Sequence, residues 1–487
     1  MVGLLAIGPG CGKSNSSGGS GEGGSGATGG SSPTGGSSAT GGATATGGAT
    51  GTGGATGTGG GGTVSCTITP MASPSSMIPT VGIVTFTTTL PSPTEAHIDF
   101  GLDTGYGMTA PVDLAAQSYR TLLLGMKPSK TYHFRISVTS SGGICLGGDN
   151  TIATGAQLNG LPSLDTTTNN KAALAPGFVV TGQYVTSGHA PAFIFDSDGS
   201  YVWWYDDTSD ACGARMSYDG NYIWIASGNV PDGMTTDHVH RVTMDGLTDT
   251  DFTTAFAHHS HEVTPLPDGS VAFFTYGTGT NGCDDIKIFP TGGTPSSTAT
   301  TLVNARTAHG GTASCHVNYI QYSPSDDTLI FSDLDNDCLT KVSRTTGATV
   351  WVLSGSNGIT STFTGDLWKG GQHGFQILSA NDILLFNNNS PSSGGSGSGA
   401  TALEVMLDTG ANTSTKVWSY TASPAIQVMA LGDVQRLPNG NTIVNYGPAS
   451  TIEEVDSGGT VVQEVTSTRT TFGFFEKRAT LYGPSTK

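Results

Sequence analysis

Basic residues are scarce in this chain. Its 487 residues include 19 lysines and arginines against 37 aspartates and glutamates, which gives a formal net charge of −18. The basic residues are spread thinly and form no cluster, so the sequence argues against a nucleic-acid partner. The sequence also lacks any apolar run of the roughly 20 residues that a membrane-spanning helix needs.

Closely spaced CxxC cysteines, which are typical of structural zinc sites, are also missing. Apart from Cys11, the chain has an even number of cysteines, and this favours disulfides and an oxidising compartment. Spacing alone does not decide how they pair. We predict three disulfides, which are Cys66–Cys145, Cys212–Cys283 and Cys315–Cys338.

The N-terminal part of the chain predicts export and anchoring. Residues 1–13 form a short apolar stretch that resembles the end of a bacterial lipoprotein signal, with Cys11 as the acylated residue. Residues 14–62 are almost only Gly, Ser, Thr and Ala, and we expect them to form a disordered tether. We therefore expect a periplasmic or cell-surface bacterial lipoprotein whose lipid anchor is its only contact with the membrane.

Residues 63–157 read as short alternating strands separated by Pro, Gly and Ser, which predicts a small β-sandwich. The run LLLGMKPSKTYHFRISVTSSGG, from Leu122 to Gly143, resembles fibronectin type III modules. Such a module would space or pack against a functional partner, and it contains no candidate site of its own.

Residues 159–487 repeat one kind of hairpin, in which an apolar strand, a tight turn and a second apolar strand follow one another. Several copies continue into a third strand after a glycine turn. This unit is typical of one blade of a β-propeller, and the length suits six blades. The prediction is an all-β chain with a six-bladed β-propeller, the alternative being a large β-sandwich. The hairpins begin near Phe195, Met216, Leu266, Ser323, Leu378 and Leu437.

Three histidines recur in register with these units. His261, His316 and His373 each begin the apolar run before a hairpin turn. Since the inner strands of a propeller line one channel, we expect the three imidazoles at one channel mouth, with Arg215 at a comparable offset. The alternative is that each histidine only caps its strand.

Three imidazoles permit two kinds of chemistry. They could bind a metal such as zinc and leave one position open. They could also act on an anion, with one imidazole as nucleophile and its neighbours as donors to the transferring group. His259, beside His261, adds another imidazole to the same place.

The segments HHSHEVTPLPDG, HVNYIQYSPSDDTLIFS, WKGGQHGFQIL and GDVQRLPNGNTIVNYG resemble the bacterial arylsulfotransferase family, in the same order, across residues 165–480. The resemblance implies sulfuryl transfer from an aryl sulfate to a phenol, without a cofactor, through a covalent sulfohistidine at His373. It also implies that His316 and His261 hold the sulfuryl oxygens and that Asn318 assists. Further candidates for substrate binding are His259, Arg215 and Gln372.

The chain departs from the family where an arginine is expected on the strand after the Asp-Asp turn. Leu334 stands there, between Asp333 and Asp335. A metal-binding propeller and a non-catalytic binding lipoprotein therefore remain alternatives to the enzyme. Asp333, Asp335 and Asp337 could bind calcium, but we expect a solvated acidic turn, because the glycine of a calcium loop is absent. We expect His309, which lies outside the register, to be a surface or packing residue.

Overall fold

The computed structural model describes residues 62–184, 192–207, 211–227, 238–276, 283–311, 314–355, 358–467, 471–484 and 487. Cys11 and all of the predicted tether except Gly62 lie outside these residues. Within them, strands predominate, with one short α-helix, α1 (Ala305–His309), which confirms the all-β prediction. No helix in this part of the chain is long and apolar enough to cross a membrane.

The first folded unit consists of two antiparallel sheets that share one core. One sheet has the order β1-β2-β5, and the other has the order β4-β3-β6-β7 with β8 also paired to β6. Inward-facing side chains such as Phe86, Ile98 and Phe134 fill the space between them. The unit is therefore a β-sandwich, and its assignment to the fibronectin type III class stays a prediction. Its strands are β1 (Ile68–Pro74), β2 (Gly82–Thr88), β3 (Glu95–Gly101), β4 (Met108–Pro111), β5 (Thr121–Leu123), β6 (Thr131–Ser140), β7 (Gly143–Leu146) and β8 (Asn150–Ala153).

The described residues from Leu164 onward form six further sheets of four or five strands. Tight turns join neighbouring strands, and a glycine with positive φ often completes the turn, as at Gly199 (76°) and Gly220 (75°). The strands of the first three sheets are β10 (Phe178–Tyr184), β11 (Ala192–Asp196), β12 (Tyr201–Tyr205), β13 (Ala211–Met216), β14 (Tyr222–Ser227), β15 (His238–Thr243), β16 (Asp249–Asp251), β17 (His259–Pro265), β18 (Val271–Thr275), β19 (Asp285–Phe289), β20 (Thr300–Asn304) and the C-terminal strand β34 (Thr471–Arg478), which belongs to the first sheet.

The other three sheets complete the chain. Their strands are β21 (Val317–Ser323), β22 (Thr328–Asp333), β23 (Cys338–Ser343), β24 (Thr349–Ser354), β25 (Thr364–Gly365), β26 (Gln372–Ser379), β27 (Asp382–Asn387), β28 (Thr401–Asp408), β29 (Thr413–Thr421), β30 (Asp433–Arg436), β31 (Thr442–Asn445), β32 (Thr451–Val455), β33 (Val461–Ser467) and the early strand β9 (Leu164–Thr168), which belongs to the last sheet.

The first and last strands of this part of the chain connect its first and last sheets. The C-terminal strand β34 pairs with β10, and β9 pairs with β33 at the outer edge of the last sheet. The strands β13, β17, β21, β26, β30 and β34 form a ring in which each contacts the next and β34 also contacts β13. These six strands are called the inner strands, and they surround the centre of the ring.

The sandwich packs against this body through a shared apolar cluster, in which Ile78 and Leu124 join Trp203, and through polar contacts. Arg120 forms an ion pair with Asp245. The Lys127 ammonium lies 2.7 Å from an Asp198 carboxylate oxygen. The Tyr482 hydroxyl donates to the Leu122 carbonyl oxygen at 2.9 Å. The sandwich thus touches the outer surface of the first two sheets.

Candidate active site

Two of the predicted histidines meet where neighbouring inner strands begin. His261 is the third residue of β17, and His316 immediately precedes β21. Their Nε2 atoms lie 3.4 Å apart, and their ring centroids are 5.2 Å apart. His373, the second residue of β26, begins the next inner strand. The repeated position of these histidines in the sequence therefore corresponds to adjacent starts in the ring.

A bulge in β17 sets the direction of the His261 side chain. The ladder between β17 and β18 is interrupted between His259 and Val263. His261 has a φ of 54°, a left-handed conformation that is uncommon for a residue with a side chain. Its Nδ1 atom lies 2.6 Å from the Ser260 hydroxyl. The bulge turns the Nε2 atom towards His316.

The tautomer of His373 is set by Asn388. Nδ1 of His373 lies 2.6 Å from Oδ1 of Asn388. The Asn388 amide nitrogen donates to the carbonyl oxygens of Val428 and Leu431 at 3.3 and 3.1 Å, which leaves its oxygen facing the imidazole. An amide oxygen only accepts, so Nδ1 of neutral His373 carries the proton and Nε2 keeps its lone pair.

Asn388 was not among the residues predicted from the sequence. The signal that could have revealed it is the run Phe386–Asn389, in which three asparagines follow one another at the end of an apolar strand. A hydrogen-bond partner fifteen residues along the chain is evident only once β26 and β27 are paired.

Burial favours the neutral form of all three imidazoles. Burial lowers the pKa of His373 to about 3, and the nearby His316 contributes to the lowering. Burial lowers the pKa of His261 well below its ordinary value, and the neighbouring histidines lower it further. Burial also lowers the pKa of His316, although Asp335 and Asp333 oppose the effect. A neutral imidazole is the form that can act as a nucleophile.

His259 lies beside this group but belongs to the start of the β17 ladder. It is buried and pairs with Thr275 of β18. It is also close enough for its charge to lower the pKa of His261. The structure thus brings the sequence-predicted His259 to the edge of the site.

Asn318 leaves one polar atom available in the site. It lies two residues after His316 and is fully buried. Its amide nitrogen donates to the Gln372 carbonyl oxygen at 2.7 Å. Its Oδ1 atom is buried and has no hydrogen-bond partner among the described residues. A buried acceptor of this kind is costly unless a ligand or water supplies a donor.

The side chain of Gln372 is occupied by the protein itself. Its amide nitrogen lies 3.0 Å from both the Ser332 hydroxyl and the Asp333 carbonyl oxygen. Its amide oxygen accepts from the Trp368 indole at 3.0 Å. These bonds join β26 to β22, so Gln372 holds the strand that carries His373 instead of presenting its amide to a substrate.

Arg215 is likewise engaged by other protein groups. Its Nε lies 3.0 Å from one Glu262 oxygen, and its Nη2 lies 3.3 Å from the other. Its Nη1 donates to the Phe475 carbonyl oxygen at 3.4 Å, and a further hydrogen bond joins it to the Tyr319 hydroxyl. The guanidinium therefore reaches the histidine-bearing strand β17 through Glu262.

Aromatic rings pack against His261 and His316. Phe474 lies beside His261, with ring centroids 6.5 Å apart, and Tyr319 packs against Phe474 at 4.8 Å. The ring of Tyr276 meets His316 edge to face at 6.0 Å. These contacts place apolar groups next to the two histidines that meet.

The acidic turn after β22 begins with a buried carboxylate, and the prediction of a solvated turn is wrong for Asp333. Asp333 is completely buried, and its Oδ1 accepts the backbone N–H of His316 at 3.1 Å. Its Oδ2 lies 3.0 Å from Nε2 of His309 and 2.9 Å from the Asn336 amide nitrogen. His309 is therefore a buried partner of the turn that positions His316.

Leu334 occupies the position at which the family arginine was expected. Its backbone N–H donates to the His316 carbonyl oxygen at 2.9 Å. A Cβ added to Gly371, two residues before His373, would lie 2.6 Å from the Leu334 side chain. The substitution by leucine thus places an apolar group between the His316 and His373 segments.

Two of the three predicted disulfides are wrong. Cys66–Cys145 is present in the sandwich, as predicted. Cys283 pairs with Cys315, whereas the prediction paired them with Cys212 and Cys338. Cys338 is a buried free thiol. The Cys283–Cys315 bridge joins the segment before β19 to the residue before His316, a proximity between consecutive sheets that residue spacing does not reveal.

The histidines do not form the metal centre considered from the sequence. Within the described residues, three potential ligand atoms lie within 4.8 Å of one another only in the group His309, Cys315 and Asp333. The Cys315 sulfur is already bonded to Cys283, so it cannot supply a thiolate ligand. The donor set therefore does not fit a bound metal.

The arylsulfotransferase (ASST) family model matches residues 297–468. The matched segment includes His316, Asn318, Leu334 and His373, and it begins after His261. It covers less than half of the chain, and it supports the arylsulfotransferase resemblance and an arylsulfotransferase-like function. The chain matches no protein of curated function.

Solved structures of low sequence identity resemble the chain. A Bacteroides caccae protein of unknown function is 15% identical with a TM-score of 0.38, covering 60% of this chain and 94% of its own. The Cps50 (Swd1) β-propeller domain of Myceliophteria thermophila is 11% identical with a TM-score of 0.37, covering 65% and 91%. A streptogramin B lyase is 12% identical with a TM-score of 0.36, covering 62% and 86%.

Proposed function

We propose that the chain is an aryl sulfotransferase built on a six-bladed β-propeller, in which the six sheets are the blades. The donor is an aryl sulfate, the acceptor is a phenol, and the sulfuryl group passes through a covalent sulfohistidine at His373. The ring of inner strands and the family match over residues 297–468 support this proposal.

In the first half-reaction, the Nε2 lone pair of His373 attacks the sulfur of the donor. The bond between sulfur and the aryl oxygen breaks, and its electron pair leaves with the phenolate. His373 then carries SO₃ on Nε2 and a proton on Nδ1, so its ring is cationic. The Asn388 oxygen, 2.6 Å from Nδ1, stabilises that ring.

In the second half-reaction, the acceptor phenol oxygen attacks the sulfur of the sulfohistidine. The bond between Nε2 and sulfur breaks, and His373 regains its lone pair. A neutral neighbouring imidazole, His316, takes the phenol proton, which is finally returned to the departed phenolate. His261 and Asn318 contact the substrates.

The observation that carries the proposal is the state of His373. A nucleophilic histidine must be neutral and must have one ring nitrogen free and directed by a partner on the other. His373 has a pKa lowered to about 3 by burial and an acceptor fixed at Nδ1. A histidine that only capped a strand would not require this pairing.

The second candidate is a non-catalytic binding propeller, which the leucine at position 334 favours. An apolar side chain there gives no charge with which to offset a sulfuryl group in transfer. Turnover of a chromogenic aryl sulfate in the presence of a phenol tests both candidates. Release of the chromophore and sulfation of the phenol support the enzyme, and binding of the phenol without turnover supports the binding protein.

We also propose that the protein is exported and anchored through a lipid on Cys11. The polar run after Cys11 would let the folded part move at a distance from the membrane. In the native host, Cys11→Ser should move the protein from the membrane fraction to the soluble fraction. A wild-type protein that is already soluble and carries no lipid would contradict the anchor.

A further inference from the structure

The bulge at His261 needs an external constraint. β17 departs from its ladder between His259 and Val263, and His261 is buried with a φ of 54°. A left-handed residue with a side chain persists only where its surroundings impose that conformation. The hydrogen bond to Ser260 lies within the bulge and does not tie it to the rest of the ring.

Glu262, the next residue, supplies such a tie. Its side chain is completely buried among the inner strands, and both of its oxygens face Arg215 of β13, at 3.0 and 3.3 Å. Gly213 makes room for it, because a Cβ at that position would lie 2.7 Å from the Glu262 Cβ and 3.4 Å from the His261 carbonyl oxygen. A two-point contact between a guanidinium and a carboxylate fixes orientation as well as distance.

Arg215 is fixed on its other side by two more inner strands. It donates to the Phe475 carbonyl oxygen of β34 at 3.4 Å and is joined by a hydrogen bond to the Tyr319 hydroxyl of β21. Its guanidinium carbon lies 5.2 Å from the centre of the Tyr319 ring. Arg215 therefore connects β13, β34 and β21 to the residue that follows His261.

We propose that Arg215 is a positioning residue of the histidine site, acting through Glu262 on the bulge that aims His261 at His316. Its role as a positioning group for catalysis rests on the proposed function. Its effect on the place of His261 does not. Under this proposal Arg215 positions His261, instead of binding the substrate as the sequence suggested.

Two single variants and one double variant test the proposal. Arg215→Lys removes the two-point contact but keeps the charge, and Glu262→Gln keeps the shape but removes the carboxylate. Each should lower kcat by about 10²-fold, as expected for a misplaced reacting group, with KM for the aryl sulfate within about threefold of wild type. Arg215→Gln combined with Glu262→Gln leaves no unpaired buried charge and should regain part of the loss.

The matched control is Lys477→Met, which breaks another buried ion pair of the same body. The Lys477 ammonium lies 2.7 Å from a Glu454 oxygen, away from the histidines. This variant should lower Tm and leave kcat per folded molecule unchanged. If it lowers kcat as much as Arg215→Lys does, the effect is one of general stability and the proposal is wrong.

Crystal structures of wild type and Arg215→Lys give a reading that does not depend on turnover. The proposal predicts that in the variant the Nε2 atoms of His261 and His316 separate by more than about 1 Å from their wild-type spacing. An unchanged His261 in a folded Arg215→Lys protein overturns the proposal, whether or not activity falls. If wild type turns over no aryl sulfate, the proposed function fails, and the same structures still decide the positioning role.

Discussion

Oδ1 of Asn388 and Nδ1 of His373 lie 2.6 Å apart, and this one contact decides which ring nitrogen can react. The amide nitrogen of Asn388 donates hydrogen bonds to two backbone carbonyl oxygens, so a 180° flip of the amide would break both bonds. The proton of neutral His373 is consequently held at Nδ1, and the lone pair stays on Nε2.

Asn388→Ala should lower kcat by about 10- to 100-fold, the loss typical when the partner that orients a metal-bound histidine is removed. KM should change little, because Asn388 does not touch the substrate. Asn381→Ala, in the turn at the far end of the same two strands, is the control and should leave kcat unchanged. Steady-state kinetics with an aryl sulfate measure both, and an Asn388→Ala enzyme with wild-type kcat would refute this role.

Loss of either neighbouring histidine should slow transfer without abolishing the fold. His261→Ala and His316→Ala should each lower turnover by about 10²–10³-fold, because His261 contacts the transferring group and His316 takes the phenol proton. His240→Ala removes a histidine bound to Asp249 outside the site and serves as the control. Equal losses in all three variants would mean that the histidines act through stability alone.

The pH dependence of stability should reveal that His373 is buried and neutral. Burial lowers its pKa in the folded protein to about 3, below the ordinary value of 6.5. Between these values the unfolded chain binds more protons than the folded one, so the free energy of unfolding falls as the pH falls from about 6.5 towards 3. Denaturant titrations of wild type and His373→Asn should show a weaker acid loss in the variant. Parallel curves over this range would contradict the assignment.

An arginine at position 334 should raise the rate of sulfuryl transfer. Leu334 is bonded through its backbone to the His316 carbonyl oxygen, so a guanidinium there would lie beside the histidines. Leu334→Arg should raise turnover of an aryl sulfate by about tenfold or more, because it would offset charge on the sulfuryl group. Leu334→Gln, polar but uncharged, should not. A well-folded Leu334→Arg protein with no gain would show that the missing cation is not what limits the rate.

The all-β class and the neighbouring starts of the histidine strands could be predicted because both follow from repetition along the chain. His261, His316 and His373 each begin the strand before a hairpin turn, so they occupy the same position in successive repeated units. The disulfide partners of Cys283 and Cys315 could not be predicted in this way, since they depend on how the loops of consecutive sheets approach each other. Spacing along the chain carries no information about that approach.

The roles of the polar side chains could not be predicted from the sequence either. Arg215 and Gln372 looked available for a substrate until their carboxylate, carbonyl and hydroxyl partners were located. Asp333 looked solvated because acidic turns usually are, and its burial depends on His309 and Asn336. Hydrogen-bond partners remote in sequence decide whether a polar residue serves a ligand or the fold.

The most direct test of the central claim is mass spectrometry of the protein after brief incubation with an aryl sulfate and no acceptor. Sulfuryl transfer through His373 predicts an increase of about 80 Da, the mass of SO₃, on the peptide that contains His373. The adduct should disappear when a phenol is added and should be absent from His373→Ala. A wild-type protein that turns over aryl sulfate without such an adduct, or that carries it on another histidine, would contradict the account.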